Sequence, residues 1–316
     1  MKSSVVRVAS LASLLFLALP LLAAAGDPAA GDPVAGTPAA GGPVAGDPAP
    51  DPEFPPTIAE LTISSSGQRM PALAYLANGP GPHPTVLLLH GFPGNERNLD
   101  IAQDLRRHGF NVVYFNFRGA WGADGEYRIL NLAADVAAVL DYLRAPSNAT
   151  QLRVDTTALS LLGHSMGGYT ALAAGSRDSQ LACIGAMAPV NVGMLKMGID
   201  TEDPNSLRIL GYADSLFMLN GYSSGVMLEE LRAAKLSAVD TRAFGPGLQG
   251  KSVFLVAGDR DPVTPAETMM LPVAREYAKV PALKLEHHVI SGDHSFSWSR
   301  LAVTELVRNW LDRDCR

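Results

Sequence analysis

Cysteine is nearly absent from this chain: Cys183 and Cys315 are the two it has in 316 residues. Two thiolates cannot complete a metal site by themselves. They leave two alternatives open, a disulfide in an oxidising compartment or a pair of buried, inert thiols. Positive charge is not in excess either. Against 31 Asp and Glu there are 25 Lys and Arg, giving a net charge of −6 and a pI near 5.6. That balance argues against nucleic acid or an anionic membrane surface as partner. The apolar run from Leu11 to Leu22 falls short of the roughly 20 residues that a membrane span needs.

What stands at the N-terminus reads as an export signal. Lys2 and Arg7 form a basic region, Leu11 to Leu22 an apolar one, and Ala23-Ala24-Ala25 fits a small-residue cleavage site, so residues 1–25 are expected to be a signal peptide. No cysteine follows the expected cut, which argues against lipoprotein anchoring, and no Arg-Arg pair precedes it, which favours general secretion. The mature protein is therefore expected to be periplasmic or secreted, without stable membrane insertion. Residues 26–56 then repeat every five positions, beginning Gly26-Asp27-Pro28-Ala29-Ala30. So short a period, with so little apolar content, predicts a disordered spacer and no packed repeat.

Residues 57–316 suffice for one α/β domain with a large core. Segments 59–64 and 71–76 read as opening strands. Thr85-Val86-Leu87-Leu88-Leu89 and Asn111-Val112-Val113-Tyr114-Phe115 are continuous apolar runs, as expected of strands covered on both faces. Between them, Asn98 to His108 reads as helix. A second helix is predicted around Leu130 to Leu143, where Leu132, Val136, Val139, Leu140 and Leu143 recur at helical spacing. Further strands are predicted over Thr157–Leu162, Leu181–Ala188, Ser252–Ala257 and Leu285–Ile290, with a closing helix carrying Val303, Val307 and Trp310. Alternating strands and helices predict a mostly parallel central sheet with helices on both faces. Residues 191–250 break the alternation and are expected to form a small, largely helical cap over the site.

One motif carries chemistry. Gly163-His164-Ser165-Met166-Gly167 lies between a predicted strand and the alanine-rich stretch Tyr169 to Gly175. Strand, Gly-x-Ser-x-Gly, helix is the setting of a nucleophile elbow, which holds a serine hydroxyl on a strained turn above the sheet. A serine hydroxyl needs a base to take its proton. Of seven histidines, His294 alone lies in a loop just beyond the last strand, in Ser291-Gly292-Asp293-His294-Ser295. His287 and His288 fall within that strand. The orienting acid should also follow a strand, and Gly258-Asp259-Arg260-Asp261-Pro262 does so. Asp261 and Asp259 compete. Asp261, stiffened by Pro262 and deeper in the loop, is preferred, and Asp259 is expected to serve the turn.

Together, His90-Gly91 after a strand, the elbow, Gly258-x-x-Asp261-x-Val263 and Gly292-x-His294 resemble the α/β-hydrolase superfamily. The order Ser, Asp, His, with separations of 96 and 33 residues, suits it. The resemblance covers essentially all of residues 57–316 and implies an α/β-hydrolase fold. It also implies an oxyanion hole made by the backbone N–H groups of Phe92 and Met166, since Pro93 has no N–H to offer. His90 is expected to brace that loop. Phe115-Asn116-Phe117-Arg118-Gly119-Ala120-Trp121-Gly122 is similar to a segment of dienelactone-hydrolase-like and prolyl-oligopeptidase-like members. There Arg118 is expected to tie loops together, and Trp121 is a candidate for substrate contact.

Serine at the elbow sets the chain apart from relatives that use Asp (epoxide hydrolases, haloalkane dehalogenases) or Cys (dienelactone hydrolases). The expected activity is hydrolysis of small carboxylic esters through an acyl-enzyme on Ser165, with His294, Asp261 and neither metal nor cofactor. Cleavage of thioesters or short peptides is the alternative, and a non-catalytic binding protein a third class. The apolar cap residues Met194, Leu195, Met197, Leu216, Phe217, Met218 and Leu219 suggest an acyl pocket. A peptidase holding a substrate amine would instead use Glu202-Asp203 or Glu229-Glu230.

Overall fold

The computed structural model describes residues 47–316. The expected signal peptide and residues 26–46 of the expected spacer lie outside the described residues. The spacer's last residues behave differently from a disordered linker. The Asp51 carboxylate accepts the N–H groups of Glu53 and Phe54 at 2.9 and 2.8 Å, and its own N–H donates to Asn78 Oδ1 at 2.7 Å. Phe54 in turn accepts the Gly79 N–H at 2.9 Å and lies under the Arg153 guanidinium. An acidic turn and one aromatic ring thus seat residues 51–54 on the domain, ahead of the expected boundary at 57.

The chain then runs β1 (Thr57–Ser65), β2 (Gln68–Leu76), β3 (His83–Leu89), α1 (Leu99–Arg107), β4 (Asn111–Phe115), α2 (Leu132–Arg144) and α3 (Pro146–Leu152). After these come β5 (Val154–His164), α4 (Met166–Gly175) and β6 (Cys183–Met187). Next are the four helices α5 (Val192–Asp200), α6 (Pro204–Tyr212), α7 (Ser224–Ala233) and α8 (Leu236–Val239). The last elements are β7 (Ser252–Gly258), α9 (Ala266–Met269), α10 (Leu271–Tyr277), β8 (Lys284–Ile290) and α11 (Arg300–Asp314). The eight strands form one sheet in the order β1-β2-β4-β3-β5-β6-β7-β8. β2 pairs antiparallel with both β1 and β4, and every other pairing is parallel. This is the α/β architecture that the sequence predicts.

Side-chain alternation along the central strands feeds two cores. Val86 and Leu88 of β3, Phe254 and Val256 of β7, and Leu162 of β5 point to one face. There α1 packs Ile101 and Leu105, and α11 packs Val303, Val307 and Trp310. Leu87, Leu89, Val253, Leu255 and Leu161 point to the other face, under α2, α4, α10 and the inserted helices. Burial on both faces is why these strands read as unbroken apolar runs.

Parallel registry lines up the starts of β6, β7 and β8 (Cys183, Ser252, Lys284) at one end of the sheet. α11 returns there. Its Trp310 indole donates to Ser252 Oγ at 2.9 Å, and Cys315 is joined to Cys183 by a disulfide with the Cα atoms 5.8 Å apart. The opposite end, where β3, β5, β7 and β8 finish, carries the loops of interest. The insertion between β6 and β7 is helical throughout its ordered elements. It is tied to the loop after β4 by Trp121 N–H to Met218 O at 3.0 Å and Asn220 N–H to Gly119 O at 2.7 Å.

Candidate active site

At the end of β5 the backbone reverses into α4 through Ser165, which sits at φ 57° and ψ −117°. That is left-handed backbone for a residue with a Cβ, a local strain that the surrounding packing must hold. Two glycines make the reversal sterically feasible. A Cβ on Gly163 would strike the Gly167 carbonyl, and one on Gly167 would strike the carbonyls of Leu89 and His90. Strand β3 therefore passes directly beneath the elbow. Ser165 is further fixed by its N–H, which donates to Met187 O at 2.8 Å.

The loop after β8 brings His294 to the serine, with Nε2 3.0 Å from Ser165 Oγ and Nδ1 2.7 Å from Asp261 Oδ2. Asp261 lies in the loop after β7, its side chain wholly enclosed. Its Oδ1 accepts the N–H groups of Val263 and Thr264 at 2.7 and 2.9 Å, and its Oδ2 lies 2.6 Å from the Thr264 hydroxyl. Burial works most strongly on this carboxyl and pushes its pKa up. The His294 bond and charge, with the Thr264 bonds, outweigh it and hold the group below its ordinary value. An ionised Asp261 fixes the His294 proton on Nδ1, which leaves Nε2 free to accept the Ser165 proton. Asp259 does what its position predicts: its Oδ1 accepts the Gly292 N–H at 3.0 Å and joins the two loops.

Phe92 lines the same cavity as Ser165, and Met166 follows the serine at the start of α4. Among the described residues neither backbone N–H is taken by a protein acceptor, Met166 being the first residue of α4. His90 is buried beneath this loop. Its Nδ1 lies 2.8 Å from Gly91 O, and its Nε2 accepts the Phe117 N–H at 3.4 Å. Burial first, and the Arg97 charge with it, drop its pKa to about 4, so it braces the loop as a neutral ring. Arg118 ties the loop after β4 to α2 through an ion pair with the enclosed Asp135. Trp121 does not face the site. Its indole donates to Pro93 O at 2.8 Å and stacks under Arg97, so it supports the Phe92 loop and does not line the cavity over Ser165.

A cavity of about 390 Å³ opens over Ser165 and His294. Its far wall is α6, through Arg208, Ile209 and Tyr212. None of the seven apolar cap residues proposed from the sequence lines it. Leu195, Leu216 and Leu219 are core, and Phe217 is 92% exposed on the outer surface. The clustered leucines hold the insertion to the domain, and the site-facing helix mixes charge, aliphatic and aromatic groups. The acidic pairs are elsewhere too. Asp203 caps α6 by accepting the Ser206 N–H at 2.9 Å, and Glu230 accepts the Ile129 and Leu130 N–H groups at 3.3 and 3.2 Å.

Two residues at the site escaped sequence reasoning. Thr264 touches Asp261, Ala188 O at 3.0 Å and His294 Nδ1 at 3.2 Å. The spacing Asp-x-x-Thr at a turn was the available signal. His164, inside the elbow, is buried with its ring 4.8 Å from that of His294, and its Nε2 lies 2.7 Å from the His294 carbonyl. Burial, and next the neighbouring His294, drop its pKa to about 3. A neutral ring thus donates Nε2–H to that carbonyl and pins the base loop to the elbow. No sequence pattern distinguishes such a ring from any other histidine.

Residues 86–313 match the sequence pattern of the alpha/beta hydrolase family. The chain is 29% identical over 175 residues to an uncharacterized 31.7 kDa protein of Escherichia coli from the traX-finO intergenic region, a match spanning about half of that relative (51%). In fold it is similar to Est1E from Butyrivibrio proteoclasticus, with a TM-score of 0.62 at 18% identity over 80% of this chain and 98% of that one. The Pyrococcus furiosus esterase Pf2001 gives 0.60 at 18% identity, over 84% and 94% of the two chains. A pattern covering nearly three quarters of the sequence, on a sheet of this order, leads to one assignment: the chain belongs to the alpha/beta hydrolase family.

Proposed function

We propose that this protein is an exported serine hydrolase that cleaves carboxylic esters. The observation that carries the reading is the relay from Ser165 Oγ through His294 Nε2 and Nδ1 to the enclosed Asp261 carboxylate. In the first half-reaction His294 takes the hydroxyl proton as Ser165 Oγ bonds to the ester carbonyl carbon. The carbonyl oxygen becomes an oxyanion within reach of the Phe92 and Met166 N–H groups. Collapse breaks the bond to the alkoxy oxygen, which leaves as the alcohol with the proton from His294. Water then repeats the sequence on the acyl-enzyme, releasing the acid and restoring the serine. Each N–H donor of this kind is worth about 3 kcal/mol in the transition state.

The commitment of Asp203 and Glu230 to backbone amides supports esters over aminoacyl substrates, because those carboxylates are not offered to an amine in the cavity. Export is supported by the Cys183–Cys315 disulfide, which persists in oxidising compartments. The test is hydrolysis of p-nitrophenyl esters by the purified protein and by Ser165→Ala. Turnover should fall by about 10⁶ with the fold intact by circular dichroism. Full activity in the alanine variant would refute the reading.

A further inference from the structure

The walls of the cavity carry one Lys or Arg side chain, and it has no partner among the described residues. Arg208 projects from α6 toward the space over Ser165, and among the described residues it makes neither an ion pair nor a hydrogen bond. Two other arginines at this end of the molecule are engaged, and Arg260, which has no side-chain partner among the described residues, does not line the cavity. Arg97 lies over the rings of Trp121 and Tyr114 at 4.9 and 5.7 Å, and Arg300 binds Asp100, Asn98 and the Ser295 carbonyl. The one carboxylate lining the cavity, Glu96, is held on the loop before α1, where it accepts the Asn98 N–H at 2.7 Å. Apart from that pair, the lining has no Asp, Glu, Lys or Arg. Arg208 and Tyr212 are four residues apart and so share one face of α6, with Ile209 beside them. Tyr212 meets the edge of Phe92, which also lines the cavity, with ring centroids 6.3 Å apart.

We infer that Arg208 is a specificity-determining residue and that the preferred substrate is an ester bearing a carboxylate group remote from the scissile bond. The inference rests on the esterase reading and names the substrate class within it. A guanidinium offers a carboxylate two parallel N–H donors, a geometry that a neutral methyl end cannot use. The apolar surfaces of Ile209, Tyr212 and Val263 receive the chain between that carboxylate and the carbonyl at Ser165. In a cavity open to solvent the gain is modest, roughly two- to fivefold, and it is screened by salt.

The experiment compares two acyl groups of equal length on one leaving group, the mono-p-nitrophenyl ester of adipate and p-nitrophenyl hexanoate. The wild-type kcat/KM should favour the charged ester roughly two- to fivefold, less so as ionic strength rises. In Arg208→Gln the ratio should fall to about one, and Arg208→Lys should restore part of it. A second measurement needs no turnover: calorimetric titration with adipate mono-N-butylamide against N-butylhexanamide should show the same preference and its loss in Arg208→Gln. Equal or weaker use of the charged ester by the wild type, or an unchanged ratio in Arg208→Gln, would overturn the inference while leaving the esterase reading in place. Failure to hydrolyse either ester would count against the esterase reading, and the titration would then decide the role of Arg208 alone.

Discussion

Asp261 and Asp259 stand two residues apart on the same loop and do different work. Asp261 is enclosed and bonded to His294, Thr264 and two backbone amides, whereas Asp259 holds the Gly292 N–H. Asp261→Asn would present an amide to His294 Nδ1 and select the wrong tautomer, so kcat should fall by about 10⁴ with the protein folded. Asp259→Asn keeps an oxygen for Gly292 and should change kcat by less than about tenfold. Steady-state rates on one ester, with circular dichroism of both variants, decide between them. A dead Asp259→Asn beside an active Asp261→Asn would reverse the assignment. This choice was legible in the sequence, because distance into the loop and the following proline both mark Asp261. The second layer was not. Thr264 and His164 gain their roles from what lies across the fold, the Ala188 carbonyl and the His294 carbonyl, and neither partner is near in sequence.

Among the elements, legibility follows burial. β3, β4 and β7 are covered on both faces and announce themselves as apolar runs, and the elbow is fixed by glycines that no other residue can replace. The short helix α3 went unread. Pro146 stands at its first turn, where proline fits a helix, but seven residues give no periodic pattern to recognise. The insertion was legible as an interruption and not as a surface. Its bulkiest clusters serve attachment, and the face turned to the site belongs to α6, which carries Arg208 and Tyr212. The pairing of β6 with α11 through Cys183 and Cys315 closes a loop of 132 residues at the sheet end away from Ser165. Such a cross-link contributes about 2–5 kcal/mol. A Cys183→Ala/Cys315→Ala protein should therefore melt roughly 5–15 °C lower while keeping its kcat. Scanning calorimetry with a parallel ester assay checks both halves, and an unchanged Tm would contradict a stabilising role for the cross-link.

At the scale of the whole molecule, two buried neutral histidines make stability depend on acid. Their folded pKa values, about 4 for His90 and about 3 for His164, lie below the ordinary 6.5 of the unfolded chain, so the unfolded state binds more protons below pH 6.5. Stability is full above that value and falls with decreasing pH until the folded values are reached. Each ring should cost about 2 kcal/mol between pH 7 and pH 5. Asp261 acts lower. Its depressed pKa preserves its contribution through this window, to be lost only as pH drops past the folded value. Urea unfolding at the two pH values should show a drop of about 4 kcal/mol, most of it removed in a folded His90→Gln/His164→Gln variant. Equal stability at both pH values would mean that the rings are not held neutral.

Covalent trapping tests most directly whether the strained serine at the elbow is the nucleophile of this fold. A fluorophosphonate is attacked only by an activated hydroxyl, so the wild-type protein should take up one equivalent, and peptide mapping by mass spectrometry should place it on Ser165. His294→Ala should slow labelling strongly, and Ser165→Ala should abolish it. Labelling of another residue, or esterase turnover by a protein that the probe never modifies, would contradict the account.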